Sequence, residues 1–256
     1  MIRIGSAGTD GLGYDKAFEI LLENGLSALE VEFTYGVRMS NEKARGIGEL
    51  AREKGIRLSV HGPYYINLSS LEQEKIEASK KRIIDSCERA HHLGASPVVF
   101  HAGFYQKRDQ EEVYELIKTQ IKELMQIISE KGWNVKLAPE TTGKKTQFGS
   151  LQELLRLSEE TGCSICVDFA HLLAREGHVD YDDVLRKLKA PIHSHFSGIE
   201  YTEKGEKRHL LLEEKDIKAL FQKLIDYKMD ITVINESPEP IDDAIKMGKV
   251  LKRLVK

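Results

Sequence analysis

Short apolar, β-branched runs alternate along this chain with longer segments of helical periodicity, and the alternation repeats eight times without a break. The runs fall at residues 2–5, 29–33, 56–61, 97–101, 135–140, 164–168, 192–196 and 231–236. Helical segments follow each in turn, at 14–23, 40–54, 71–93, 110–131, 150–160, 181–189, 214–227 and 241–254. A strand followed by a helix and then another strand returns the chain in the same direction, so the pattern predicts a parallel sheet. Eight such units in 256 residues match a single (β/α)8 TIM barrel. An open doubly wound sheet has no need of eight units, and no G-x-G-x-x-G follows the first run. Ser40-Asn41 caps one helix that Gly55 stops, and Gly94 stops the next. No linker, low-complexity stretch or shift in composition interrupts the pattern, so residues 1–256 are expected to form one domain.

The bulk composition narrows the class of partner. A hydrophobic content of 41% suits a substantial core. Charged residues make up 31% of the chain but nearly balance, to a net charge of −3. That balance weighs against a domain that is basic throughout, while leaving room for a basic patch on one face. Three cysteines make no disulfide framework. Cys163 and Cys166 form a C-x-x-C without a second copy, which reads as two small buried residues at a strand start. The N-terminal residues lack a charged region followed by a long apolar run, and no apolar run nears the roughly 20 residues that span a bilayer. A soluble, cytoplasmic protein is expected, without membrane association. No oligomerisation signal is evident, and a monomer is expected.

The chemistry gathers at the ends of the predicted strands. The third ends in His61, the fourth in His101, the fifth in Glu140, the sixth in Asp168 and the eighth in Glu236, and His195 lies near the end of the seventh. In a parallel barrel these ends converge on one face, where barrel enzymes place their active sites. One such histidine or carboxylate is ordinary. Three of each crowded together need positive compensation, because carboxylates in a low-dielectric pocket repel one another. Divalent metals supply it, and mixed nitrogen and oxygen donors suit zinc or manganese rather than calcium or magnesium. His171 and His209 lie in the expected loops after the sixth and seventh strands and can join a further metal. His193 reads as a structural residue one step deeper than His195. His91 and His92 end a helix and complement its dipole. Arg38, Lys107, Arg108, Lys144, Lys145, Arg175, Lys204, Lys207 and Arg208 fall in loops on the metal-bearing face, suggesting a basic rim suited to phosphates.

With these residues in view, the chain resembles the endonuclease IV family of apurinic/apyrimidinic endonucleases, within the xylose-isomerase-like TIM barrels. The segment from His61 through Tyr64, Tyr65, Ile66 and Asn67 to Leu68 is similar to the family's H-x-x-Y-x-I-N-L. Phe100-His101-Ala102-Gly103 resembles F-H-P-G, and Glu140-Thr141-Thr142 resembles E-N-T. Val167-Asp168-Phe169-Ala170-His171 with Gly177 is similar to D-x-x-H-x-x-x-x-x-G. Arg208-His209 matches the end of D-R-H, and Glu236-Ser237-Pro238 resembles E-T-P. Phe33-Thr34 with Arg38 resembles a DNA-contacting loop. The resemblance implies two or three zinc ions. His61, His101 and Glu140 would hold the first. Glu140 would bridge to a second held by Asp168, His195 and Glu236, and His171 and His209 would hold a third. It implies metal-assisted hydrolysis of the phosphodiester 5′ to abasic sites in damaged double-stranded DNA, with Glu140 and Glu236 catalytic. It further implies that Tyr64 and Tyr65 wedge into the duplex and that Arg38, Lys207 and Arg208 contact it.

Three departures mark the chain as a divergent member. Lys207 replaces the aspartate of D-R-H, and a protonated lysine repels a cation; the adjacent Glu206 could take its place if the segment shifts. The family's Gly-Gln-Gly after the fifth strand appears as Lys144-Lys145-Thr146. The stretch after R-H is replaced by residues 210–214. The alternative is a metal-dependent sugar isomerase or epimerase of the same superfamily, using Glu140, Asp168, His195 and Glu236 around one metal with a small sugar as substrate. A metal-stabilised binding protein is a third reading.

Overall fold

The computed structural model describes residues 1–255. Eight parallel strands form the barrel: β1 (Ile2–Ala7), β2 (Ala28–Glu32), β3 (Arg57–His61), β4 (Val98–Phe100), β5 (Leu137–Pro139), β6 (Cys166–Asp168), β7 (Ile192–Phe196) and, last in sequence, β10 (Ile231–Asn235). Their hydrogen-bonded order is β5-β4-β3-β2-β1-β10-β7-β6. The seam between β5 and β6 is closed by a parallel bridge from Glu140 to Cys166, where Thr141 N donates to Cys166 O at 3.1 Å. The helices are α1 (Tyr14–Glu23), α2 (Asn41–Lys54), α3 (Gln73–Leu93), α4 (Gln110–Glu130), α5 (Leu151–Thr161), α6 (Phe169–Glu176), α7 (Tyr181–Lys187), α8 (Glu214–Asp226) and α9 (Pro240–Leu254). Among the described residues no helix is long and apolar enough to cross a membrane.

Local chemistry sets the boundaries. Ser40 accepts a bond from Lys43 N and Gly55 ends α2 in the left-handed region at φ 73°. Ser150 and Glu153 form a reciprocal capping box that starts α5. The helices pack apolar faces such as Phe18 and Leu21, Ile117 and Ile121, and Phe221 and Leu224 onto the outward-facing strand residues, including Leu29 and Val31 of β2. Val99, Ala138 and Cys166 form a separate small cluster on the inner wall. Much of the inner wall is polar: Glu30, Ser59, His61, His193, His195 and Thr232 are all buried, beside Ala28 and Ile234. Strand side chains alternate between faces, so a strand with leucine and valine toward the helices turns Glu30 and Glu32 into the barrel.

The structure departs from the sequence reading in two places. Residues 169–176, expected as loop, form α6, because Asp168 caps its first turn by accepting from His171 N at 2.7 Å and Gly177 stops it at φ 81°. The expected loop after β7 folds into an antiparallel hairpin of β8 (Gly198–Thr202) and β9 (Gly205–Leu210). Its run of charged residues hides the period-two signal of a strand, because both faces of much of the ribbon meet water. The three cysteines are buried and free.

Candidate metal centre

The strand ends place their donors around Glu140, which is buried at 1% exposure. Glu140 Oε2 lies 3.1 Å from His61 Nε2 and 2.9 Å from His101 Nε2. Its other oxygen lies 3.1 Å from His195 Nδ1, which is also 3.2 Å from Glu236 Oε1. Among the groups whose donor atoms fall within 4.8 Å of one another are three that overlap: His61, His101 and Glu140; Glu140, Asp168, His195 and Glu236; and Asp168, His171 and His209. Every metal-binding residue expected from the sequence is thus brought to one place.

The imidazoles are oriented for ligation. His61 Nδ1 bonds Gly62 O at 2.8 Å, His171 Nδ1 bonds Thr141 O at 2.9 Å and His209 Nδ1 bonds Glu236 O at 2.9 Å. Each of these nitrogens must carry the proton, since a carbonyl only accepts, and Nε2 is left to face the carboxylates. His195 is turned the other way. Its Nε2 stands 2.8 Å from Glu30 Oε1, off hydrogen-bond alignment, and its Nδ1 faces the centre. Glu30 also accepts from His193 Nε2 at 2.8 Å, so one buried carboxylate of β2 holds both histidines of β7.

The residues suit divalent cations on their own evidence. Asp168 uses Oδ1 to cap α6, while its buried Oδ2 has no hydrogen-bond partner among the described residues. Burial pushes the Asp168 carboxyl up, with Glu236 and Glu140 adding to it against His171. Glu32 is pushed up to about 8 by burial, helped by the charges of Glu30 and Glu236 and opposed by His61. Burial also opposes the charge on Glu140, but His101 and His195 hold its carboxyl well below the ordinary range. Glu236 is likewise held at about 2 by His195 against burial. For His61, burial works against protonation and the Glu140 hydrogen bond overrides it, to about 10. Without metals these carboxylates rely on imidazolium partners, and ions at the same donors replace those protons.

The third group has a further member. Glu206 Oε2 lies 3.4 Å from His171 Nε2, and Glu206 Oε1 lies 3.9 Å from His209 Nε2. The two imidazole Nε2 atoms are 3.4 Å apart. A β-bulge produces this arrangement. Glu200 pairs with Arg208 and Tyr201 with Glu206, leaving Lys207 as the extra residue. In a regular strand residues three apart point to opposite faces; one bulged residue restores Glu206 and His209 to the same face. Lys207 and Arg208 face outward onto Glu200, at 2.6 and 2.7 Å. Gly143 makes room: a Cβ there would stand 2.7 Å from Glu206 Cβ and 2.9 Å from Glu206 Oε2.

A cavity of about 260 Å³ opens onto these donors, walled by Glu32, His61, Tyr64, His101, Glu206 and Glu236 among others. Tyr64 lines it at 62% exposure, and Tyr65, next in sequence, is 64% exposed. Tyr35, unremarked in the sequence, is 72% exposed on the adjoining loop, which Tyr64 N joins at Thr34 O, 3.2 Å away. Arg38 is exposed nearby in sequence, whereas neither Lys207 nor Arg208 lines the cavity. The basic rim is smaller than expected. Arg175 is buried and donates to Thr142 Oγ1, Lys144 O and Gln147 O, clamping the loop after β5. Arg108 is spent on the Ser69 carbonyl. Glu30 and Glu32 were legible in principle, as carboxylates two apart in an otherwise apolar buried strand.

The family model described as "Xylose isomerase-like TIM barrel" matches residues 18–254. The chain is 37% identical to an uncharacterized protein of Methanocaldococcus jannaschii, over 99% of this chain and 98% of that one. It is 30% identical to a probable endonuclease 4 of Carboxydothermus hydrogenoformans, over 84% and 83% of the two chains. Among solved structures, endonuclease IV from Thermus thermophilus superposes with a TM-score of 0.74 at 21% identity, covering 99% and 98%. A D-tagatose 3-epimerase-like protein superposes with a TM-score of 0.77 at 19% identity, covering 99% and 97%. At those identities the superpositions establish the shared barrel alone.

Proposed function

The chain belongs to the xylose isomerase-like TIM-barrel family, and from that premise we propose that it is a metal-dependent phosphodiesterase that incises DNA 5′ to abasic sites, acting as a cytoplasmic monomer. The observation that carries the reading is the third donor group, in which Glu206 joins Asp168, His171 and His209. A one-metal sugar enzyme has no use for it. The relationship to a probable endonuclease 4 over most of both chains supports the same choice.

His61, His101 and Glu140 would hold one ion, Glu140, Asp168, His195 and Glu236 a second, and Asp168, His171, Glu206 and His209 a third. Zinc suits this mixture of imidazole and carboxylate, with manganese as the alternative. Divalent ions in these positions supply polarisation of the phosphoryl group and stabilisation of charge on the leaving oxygen. The protein's own part is positional. Glu140 ties the first two groups together through its two oxygens, and the carbonyl bonds of His61, His171 and His209 fix their ring orientations. Glu236 lines the cavity beside the reacting phosphate. Tyr64, Tyr65 and Tyr35 present aromatic faces on which bases stack once the damaged nucleotide leaves the helix. Arg38 offers a phosphate contact. Lys207 and Arg208, paired with Glu200, are available to DNA only by exchanging that partner.

A sugar isomerase or epimerase is favoured by one feature, the Glu32 carboxyl in the cavity wall, which burial holds toward its neutral form and which suits hydrogen bonds to hydroxyl groups. An incision assay separates the two. A duplex carrying one tetrahydrofuran abasic analogue is incubated with zinc- or manganese-loaded protein, beside undamaged duplex and the Glu236→Gln variant. EDTA-sensitive cutting 5′ to the lesion, lost in the variant, is expected. No cutting by protein of verified metal content removes the nuclease reading and directs the search to ketose and aldose sugars.

A further inference from the structure

A larger cavity, of about 720 Å³, lies at the opposite mouth of the barrel, where the strands begin. Arg57 opens β3, Lys136 precedes β5, and Lys187 and Lys189 surround the end of α7; all four line it. The single carboxylate in its wall is Glu159, from α5. Lys187 is paired with Asp183 at 2.6 Å. Arg57, Lys136 and Lys189 have no carboxylate within 4.0 Å among the described residues, in a chain whose net charge is −3. A basic residue at a helix end is accounted for by the helix dipole, which covers Lys187. Arg57 and Lys136 sit at strand starts, where no dipole asks for them.

The floor of this cavity is a buried polar group. His193 lines it at 7% exposure, with Nε2 bound to Glu30 and Nδ1 without a hydrogen-bond partner among the described residues. A second cavity of about 420 Å³ adjoins through Arg57 and adds Arg45 and Arg52 against Glu49. Arg57, Lys136 and Lys189 are exposed around one concave wall, and cations of one sign around a cleft focus a positive potential there. The volume lies within the range of small-molecule sites, roughly 300–1,000 Å³. The walls of α5 and α7 favour a compact ligand over an extended polymer.

We propose that this cavity binds a small, multiply charged phosphate-bearing anion, at a site separate from the metal centre. Arg57, Lys136 and Lys189 supply the charge, and the free nitrogen of His193 meets the ligand's inner end. The inference does not rest on the nuclease reading. Inorganic pyrophosphate is the probe, titrated calorimetrically into metal-loaded protein at constant ionic strength, with sulfate as the control anion. Saturable binding of one pyrophosphate per chain, in addition to any taken up at the metal centre, is expected, and this component is weakened at least tenfold in the Lys136→Glu/Lys189→Glu double variant. Both lysines are exposed, so the fold survives; the milder Lys136→Gln and Lys189→Gln variants each give a smaller loss in the same direction. A component that survives the double variant, or that sulfate reproduces, overturns the proposal, as does the lack of saturable binding.

Discussion

On the proposed reading, one methyl group at Gly143 would separate a three-ion centre from a two-ion centre. Replacing it with alanine would place a Cβ 2.7 Å from Glu206 Cβ, 2.9 Å from Glu206 Oε2 and 3.2 Å from His171 Cδ2. Ordinary carbon contacts lie at about 3.5–4.0 Å, so Glu206 must withdraw by roughly 1 Å. A metal ligand tolerates about 0.2 Å. The ribbon cannot yield freely, since Glu206 N donates to Gly143 O at 3.1 Å and Gly205 closes against the same carbonyl. The carboxylate therefore leaves the third donor group while the other two stay intact. The expected cost is ~1–3 kcal/mol of stability from overpacking, and a third-ion affinity lower by about 10–100-fold, the size of effect seen when a supporting contact is lost. Equilibrium dialysis against a graded chelator, followed by elemental analysis, reads both quantities. Gly143→Ala should lose one ion at a chelator strength at which the wild type keeps it, as should Glu206→Gln. Lys207→Ala, whose side chain faces Glu200, should match the wild type. If the alanine variant is folded and holds its third ion as tightly as the wild type, Glu206 is no ligand.

Three further outcomes follow from the same geometry. Chelation should lower the melting temperature, because ions that bind only the folded chain stabilise it by about 4 kcal/mol when present at ~1,000 times their dissociation constant; an unchanged melting curve would count against metals at these donors. Glu30→Gln keeps the shape beside His195 but removes the charge, and should weaken metal retention by about 10–100-fold, with unaltered retention showing that the 2.8 Å contact is incidental. Arg175→Met should lower the stability measured in urea by about 3 kcal/mol, since the carbonyls of Lys144 and Gln147 lose their charged donor; a midpoint equal to the wild type would refute the clamp.

The barrel was legible because its period is carried by burial: each strand is apolar toward the helices, and Gly55 and Gly94 end helices where a left-handed residue is required. The clustering of the candidate donors was legible for a related reason, since a parallel barrel turns separate strand ends into neighbours. The hairpin was not. Both faces of much of the ribbon meet water, so no apolar rhythm marks it, and the bulge that aligns Glu206 with His209 is a property of pairing between strands. Arg175 misled because a loop-borne cation reads as exposed, while its actual role is to satisfy carbonyls of the neighbouring loop. Glu30 and Glu32 were hidden by the company of Leu29 and Val31, which mark β2 as a core strand whatever its other face carries.

The extra residue in β9 has a consequence for how such centres are recognised. A D-R-H pair meets the requirement of equal parity with a spacing of two; Glu206 and His209 meet it with a spacing of three and a bulge. The glutamate's additional methylene gives the carboxylate further reach. If Glu206 and His209 act as proposed, both are solutions to one geometric condition, and a pattern written with fixed gaps passes over a chain that meets it with a bulge. Parity around the ribbon, counted after bulges are removed, is the quantity that such chains share.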